Sequence, residues 1–396
     1  MPQIICLSLE QKLQFVLTVL KRLAPMVQLC RGWRISRQTG YKWLHRYQTG
    51  GMAGLHEQSR AARRRPHALP QLWVQRIETL RGRHPQWGPK KLRAALQREH
   101  PRSRLPALST IGESLRRSGL VLVRRRRLPG PVARVRRLRR AGRPNDVWTV
   151  DFKGWFTTAD GKRVDPLTVR DLVCRFGLLA HMLSGQNFLP VQKAFVRLFT
   201  QRGQPRALRM DNGTPFAGPG PAGLSRLSAW FISLGIEVQF TRPAHPEDNG
   251  SHEQWHRILK AETTRPPAGN RSLQAARTTR WLRHYNQERP HEALQQQPPA
   301  RHYYHSRRRY RGSQPPRYPK AWLTRRVRRQ GEIRWQGRIR FVGAAFAGHY
   351  IALKRQRRGV WRVYYYHVLL GELHDADLSG LRQAIHRHPG KGPRKV

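Results

Sequence analysis

At residue 146 the sequence changes character, and any fold has to accommodate both kinds of chain. From there DVWTVDFKGWFT alternates and is rich in Val, Trp, Phe and Thr, as a strand on a half-buried sheet should be. Asp160 and Gly161 suit a hairpin turn, and VDPLTVRDLVCRFGLLAHML supplies one or two further strands. The spacing of Val191, Ala194, Phe195 and Leu198 predicts a helix over 190–202. Residues 206–210 read as a short strand ending at Asp211, 224–235 as a helix, 236–240 as a strand, and 251–264 and 270–287 as helices. Early strands followed by alternating helices and short strands describe an α/β domain with a mixed sheet, spanning 146–300.

Upstream the periodicity is helical. In residues 1–58, Leu13, Val16, Leu17, Leu20 and Leu23 mark one helix, and a turn at Gly32 and Trp33 leads to a second that Ser36 can cap and that stops at Gly50 and Gly51. With Arg37, Lys42, His45 and Arg46 on it, the second helix makes a helix-turn-helix pattern. Residues 59–70 form a basic linker and 71–121 a second helical unit, in which Thr110 and Glu113 have capping-box spacing. That unit is compatible with DNA binding and with a purely structural role. Residues 122–145 hold ten arginines and no acid, a run that must be solvated or lie on phosphate. Downstream, 301–320 is an Arg/Tyr/Pro-rich linker, the short strands of 321–380 suit a small barrel of SH3-like size, and 381–396 is a basic tail.

Charge narrows the partner. Lys and Arg number 77 against 22 acids, a net +55 spread along the whole length, which points to a polyanion and away from neutral or cationic metabolites. With 38% hydrophobic residues and 12 Trp the chain has apolar side chains enough for real cores, unlike a disordered polybasic tail. No stretch reads as a signal peptide or a membrane span, so the expected setting is the cytoplasm. Cys6, Cys30 and Cys174 stand far apart and read as small hydrophobes instead of a disulfide or zinc framework.

In so basic a chain an acid needs a reason. Asp151 falls on the first strand of the α/β domain, Asp211 ends a later strand before Asn212 and Gly213, and Glu253 opens a helix. Carboxylates from two strand ends and a helix start can converge at one sheet edge. They are the hard ligands that Mg²⁺ or Mn²⁺ prefers, and two ions about 3.5–4 Å apart can activate an entering oxygen and stabilise a leaving one at phosphorus. No GxxxxGK[ST] string is present, so no nucleotide cofactor is expected.

Four strings carry a family resemblance: VDFKGW around Asp151, MDNGTPF at 210–216, RPAHPEDNGSHEQWHRILKAE at 242–262 and HYNQERPHEAL at 284–294. With the upstream ISRQTGYKWLHRY, GLHEQSR and HPQWGPKKLRAAL, the chain resembles a DDE-type transposase of a bacterial insertion sequence, of the group whose catalytic core is similar to retroviral integrase. The resemblance covers residues 20–375 and implies a ribonuclease-H-like core. It also implies a metal-dependent polynucleotidyl transferase that frees a 3′-OH at each element end and joins it to target DNA. Asp151, Asp211 and Glu253 would be the catalytic and metal-binding residues, with two Mg²⁺ ions per site that Mn²⁺ can replace. Between Asp211 and Glu247 lie 35 residues, the family's usual gap, and between Asp211 and Glu253 lie 41. Glu253 is the acid after DNG at the helix start, and the Gly/Pro-rich 217–223 can absorb the extra length, so Glu253 is preferred while Glu247 stays open.

The residues expected to touch DNA are Ser36, Arg37, Gln38, Thr39, Tyr41, Lys42 and Arg46 in the first helical unit, Lys90 and Lys91 in the second, and Arg257 and Lys260 beyond Glu253. His252 and His256 read equally as water- or phosphate-orienting groups and as surface histidines, and Asp171 as a structural or supporting carboxylate. The resemblance implies double-stranded DNA partners, namely terminal inverted repeats and target, a homodimer or homotetramer on DNA, and association with the bacterial nucleoid. The competing readings are a sequence-specific DNA-binding regulator, a nucleoid-coating protein, a nuclease that stops at hydrolysis, and a decayed transposase.

Overall fold

The computed structural model describes residues 7–57, 69–121, 141–241, 250–378 and 380–382. Cys6, the arginines of 122–140, Glu247 and Asp248, and most of the basic tail lie outside the described residues. The chain divides into two compact units, Met1–Pro70 and Gln71–Val396.

The first unit holds α1 (Leu9–Leu20), α2 (Met26–Gly32) and α3 (Arg37–Gly50). Ser36 caps α3 as its sequence predicts, its hydroxyl accepting the Thr39 N–H at 3.1 Å. Phe15, Val16, Cys30, Trp43 and Leu55 form the core, with Phe15 meeting Trp33 and Trp43 edge to face at 5.9 and 5.8 Å. A Cβ on Gly40 would stand 2.8 Å from the Cys30 sulfur, so α2 and α3 can approach this closely only over a glycine. Packing the inner side of α3 in this way leaves Arg37, Gln38, Tyr41 and Lys42 exposed on its outer face.

The second unit opens with α4 (Gln71–Arg83), α5 (Pro89–Glu99) and α6 (Leu108–Arg117), which share Ile77, Leu80, Trp87, Leu92, Leu96, Ile111 and Leu115 as buried side chains. The Thr110 cap is not formed. The helix starts earlier, after Ala107, which places Thr110 inside the first turn, and Glu113 binds Arg116 at 2.7 Å and Arg117 at 2.8 Å.

The α/β part consists of β1 (Val147–Phe152), β2 (Phe156–Thr157), β3 (Arg163–Asp171), β4 (Gly177–Leu183), α7 (Phe188–Arg202), β5 (Ala207–Met210), α8 (Arg226–Ser233), β6 (Glu237–Phe240), α9 (Gly250–Thr263) and α10 (Arg271–Gln287). The sheet runs β2-β3-β1-β5-β6, with β4 also on β3. Pairings β3/β4 and β1/β3 are antiparallel, β1/β5 and β5/β6 parallel, which is the mixed ribonuclease-H-like arrangement. Strand alternation sends Trp148 and Val150 of β1 into a core with α7 and α8, built on Phe195, Phe199, Leu227 and Phe231. On the other face Trp255 and Leu259 of α9 pack with Trp281 and Tyr285 of α10 and Ala180 of β4. Asp171 is a structural carboxylate. Fully buried, it accepts the backbone N–H groups of Asn145 at 2.7 Å and of Val173 and Cys174 at 2.9 Å, fixing the turn between β3 and β4.

The segment expected as a linker, 301–320, lies against this domain: Ser306 N–H donates to Arg202 O, Gln204 N–H to Arg308 O, and Tyr303 stacks on Phe176 at 4.1 Å. Beyond it come β7 (Leu323–Arg326), β8 (Glu332–Trp335), β9 (Arg338–Phe341), β10 (Tyr350–Arg357), β11 (Val360–Tyr365) and β12 (Val368–His374). The expected closed barrel is replaced by a four-stranded sheet, β12-β11-β10-β7, and a separate β8/β9 hairpin, with no ladder joining them among the described residues. Their common core, including Ile333, Val342, Leu353, Val363 and Tyr365, continues into Leu224, Ala229 and Ile232 at α8. Apolar contact with α8 covers surface that barrel closure would otherwise bury. No described helix is long and apolar enough to cross a membrane.

Candidate active site

Strand register decides where the acids go. The parallel pair β1/β5 matches Val147 with Ala207 and Thr149 with Arg209, and the same register carried past the last paired residues sets Asp211 level with Asp151. Both stand at the C-terminal ends of parallel strands, the edge at which open α/β sheets present reactive groups. Glu253 lies in the first turn of α9, exposed, close enough for its charge to act on Asp151.

Asp151 carries the mark of this crowding. Burial first, and then the negative charges of Asp211 and Glu253, push its carboxyl up to about 7, although Lys153 and the Phe152 N–H pull the other way. Burial also raises Asp211, eased by the Gly213 N–H, and Asp211 Oδ1 is buried with no hydrogen-bond partner. A Cβ at Gly213 would lie 2.9 Å from Asp211 Oδ2, so the glycine of DNG keeps that oxygen clear. Asn212 donates from its amide to Thr241 O and ties the Asp211 loop to the end of β6. An orphaned buried carboxylate oxygen beside a second carboxyl that gives up its proton only near neutrality is a donor set that fits a hard divalent cation. Among the described residues no three His, Cys, Asp or Glu side chains stand in a ready-made metal-ligand cluster.

The loop from 217 to 223 that separates the two parts of the acidic set is pinched at its neck by the Ala217–Leu224 bridge.

His252 and His256 are not surface residues. They are 0% and 7% exposed, and they fasten α9 to the sheet. Thr168, paired with Asp151 across β1/β3, places its hydroxyl 2.8 Å from Asp151 O and 2.7 Å from Nε2 of each histidine, while Thr149 Oγ1 lies 2.7 Å from His252 Nδ1. A hydroxyl donates once and accepts twice, so all three Thr168 contacts are satisfied together when it donates to Asp151 O and both imidazoles donate Nε2–H to it. Hydrogen-bond counting assigns these tautomers. Burial holds His252 well below its ordinary value, and burial with Lys153 nearby brings His256 down to about 3, so both rings are neutral at neutral pH. The 3.7 Å approach of His256 Nδ1 to Asp151 Oδ2 is therefore a contact between a neutral ring and a carboxyl, with no ion pair and too long for a hydrogen bond.

Of the basic residues expected on DNA, Arg257 and Lys260 are exposed on α9. Lys153, two residues past Asp151, was not singled out in the sequence. Burial lowers its pKa, as do the charges of Lys260 and then Arg265 against the opposing pull of Asp151, which places three cations around the acidic cleft. The VDFKGW string was the available signal. Lys90 is exposed, with its Nζ 2.5 Å from Glu292 Oε1, and the half-buried Lys91 is pushed down to about 8 by burial and by Arg289, with Glu262 and Glu292 opposing. Ser36, Arg37, Gln38, Tyr41 and Lys42 are exposed on the first unit, Thr39 and Arg46 half-buried.

Comparison with known families matches successive, partly overlapping stretches of the chain. Integrase core domain models match residues 141–246 and 234–299, and homeodomain-like models match 6–55 and 39–115. The C-terminal domain model of the IS481 family transposases matches 323–378, downstream of the integrase core. These matches support a DDE transposase or insertion-sequence integrase identity. An uncharacterized 39.2 kDa protein of insertion element IS476 from Xanthomonas euvesicatoria is 29% identical over 243 residues, 59% of this chain and 65% of that protein, so the chain spans just under two thirds of that relative. An uncharacterized 31.7 kDa protein of insertion element IS407 from Burkholderia multivorans is 28% identical over 213 residues, 52% of this chain and 72% of its own. Among solved structures, the HTLV-2 integrase catalytic core domain in complex with magnesium is 14% identical with a TM-score of 0.33, covering 42% of this chain and all of that chain.

Proposed function

We propose that the protein is a metal-dependent transposase that cuts an element end to free a 3′-OH and joins that hydroxyl to target DNA. The observation that carries this reading is the state of Asp151: half-buried, held up to about 7 by desolvation with Asp211 and Glu253 nearby, and level with Asp211, one of whose oxygens is buried without a hydrogen-bond partner. Such an arrangement is costly without a cation and useful with one.

In this reading Asp151, Asp211 and Glu253 would hold Mg²⁺ or Mn²⁺, two ions per site. When bound, the metal supplies Lewis-acid stabilisation of charge developing on the phosphoryl, entering and leaving oxygens. Asp151 and Asp211 provide rigid oxygens from strand ends, while Glu253 comes from a helix that Thr149 and Thr168 fix through His252 and His256. Lys153, Lys260 and Arg257 would receive the phosphates flanking the reacting bond, contacts that position DNA without reading it. The exposed start of α3, from Ser36 to Lys42 with Arg46 beyond, would enter the major groove of the terminal inverted repeats. Exposed Lys90, now paired with Glu292, and half-buried Lys91, drawn to Glu262 and Glu292 and repelled by Arg289, would add phosphate contacts from α5. The C-terminal strands, expected as an SH3-like barrel, would grip end or target DNA. Two ends handled together imply a homodimer or homotetramer, and bacterial cytoplasm with nucleoid DNA is the matching setting.

The test is incubation of the purified protein with supercoiled plasmid and an oligonucleotide duplex bearing a candidate element end, with Mg²⁺, Mn²⁺ or EDTA. Oligonucleotide joined to plasmid in either metal and absent in EDTA supports the reading. Nicked plasmid without joined product replaces it with a nuclease, and DNA binding without either product replaces it with a regulator or a decayed transposase.

A further inference from the structure

A cleft of about 620 Å³ lies between the α4–α5 turn, the end of α9 and α10, and the acidic site makes no use of it. Its volume is within the range of small-ligand sites. Ala261 and Glu262 on its wall come eight and nine residues after Glu253, about 13 Å along α9 at roughly 1.5 Å per residue. That is the distance of a few nucleotides from the reacting bond.

The rings in this cleft form a staircase. His84 stacks on Trp87 at 3.8 Å and 12° and on His284 at 4.9 Å and 15°, and Trp87 and His284 are parallel to within 17°. Burial, and then His284, bring His84 down to about 4, so its ring is neutral at neutral pH. The acids are already engaged: Glu262 accepts from Trp281 Nε1 at 2.6 Å and Arg289 Nη1 at 2.7 Å, and Glu288 meets His284 at 3.0 Å. At the rim, Arg83, Arg280 and Arg283 are exposed, and their side chains have no hydrogen bond or ion pair among the described residues. Half-buried imidazoles stacked against a buried indole, with guanidiniums free of side-chain partners lining the same cleft, match a ligand made of a flat heterocycle and a phosphate.

We propose that this cleft is a slot for one unpaired nucleotide of a DNA strand, its base continuing the ring staircase and its phosphate on Arg83, Arg280 and Arg283. The inference rests on DNA being the substrate and adds where an unpaired end goes. Stacking on aromatic side chains tolerates any base, so the slot takes a frayed end without regard to its sequence.

The full-length protein, held in EDTA so that no cleavage intervenes, is titrated with a blunt duplex and with the same duplex bearing a short 3′ overhang tipped with 2-aminopurine. The overhang should bind about tenfold more tightly, as one stacked base allows, with the 2-aminopurine fluorescence quenched. The double variant Arg280→Ala/Arg283→Ala should lose the advantage and the quenching, yet bind blunt duplex no worse than the charge-matched Arg102→Ala/Arg104→Ala, which keeps both. Equal affinity for the two duplexes, or an advantage that survives in Arg280→Ala/Arg283→Ala, overturns the slot while leaving the DNA-processing reading intact. Quenching reversed by an equal concentration of dAMP reassigns the cleft to free nucleotides and overturns the strand assignment, whereas failure to bind either duplex overturns both readings.

Discussion

Asp151→Asn should abolish cutting and joining while making the metal-free protein more stable. Losing a carboxylate that helps hold the metal removes several kcal/mol of transition-state stabilisation, a fall of about 10³-fold or more in rate. The gain in stability follows from the raised pKa. Asp151 titrates at about 7 in the folded protein and at about 4 when unfolded, so the folded state binds its proton more tightly between those values. Stability from this group is therefore full below pH 4, falls as pH rises through the window, and is lowest above pH 7. The side chain is 20% exposed, and the loss is on the order of 2–4 kcal/mol. His252 and His256, with lowered values, titrate in the opposite sense, and Asp211, also raised, in the same sense, so the difference between variant and wild type reads Asp151 together with its coupling to Asp211. Thermal unfolding in EDTA should show Asp151→Asn level with wild type near pH 4 and clearly more stable at pH 8, with Mg²⁺ narrowing the gap by stabilising only the wild type. A variant equal to wild type at both pH values, or one that still joins DNA, contradicts this account of the site.

Thr168→Val should be the most damaging substitution that leaves every carboxylate in place. The side chains are nearly isosteric, so packing is kept, but both Nε2–H donors and the Asp151 carbonyl lose their shared hydroxyl in a buried setting. The expected cost is about 3 kcal/mol of stability, and loosening of α9 should lower joining by at least about tenfold by misplacing Glu253. Thr168→Ser should restore both. The two effects separate in the metal dependence: a misplaced Glu253 raises the Mg²⁺ concentration needed for half-maximal joining, whereas simple destabilisation lowers the yield at every concentration. Wild-type stability and metal dependence in Thr168→Val would show that the histidines are ordinary core residues.

The clamp was legible in principle. The buried positions of α9 are His252, Trp255, His256, Leu259 and Thr263, a helical stripe that is visible once histidine is allowed to count as core. The carboxylates were legible for a different reason: few acids stand in so basic a chain, and those at strand ends and a helix start announce a sheet edge. Ser36 announced α3 through local capping chemistry, which acts within one turn. Docking of α5 through Lys90 on Glu292 and Arg98 on Glu288 O could not be read, because each contact joins residues about 200 positions apart that carry no local signal. Barrel closure failed for the same reason. Strand lengths are local, but which edges pair depends on what else covers them, and here α8 shares the core of the C-terminal strands.

The most direct test of the central claim, that Asp151, Asp211 and Glu253 together serve as the metal-holding set, is plasmid joining in Mg²⁺ by wild type, Glu253→Gln and Glu247→Gln, each checked for DNA binding in EDTA. The account predicts that Glu253→Gln binds DNA as wild type does and joins none, while Glu247→Gln joins normally. Joining by Glu253→Gln together with its loss in Glu247→Gln would contradict the assignment and move the third ligand to the segment preceding α9.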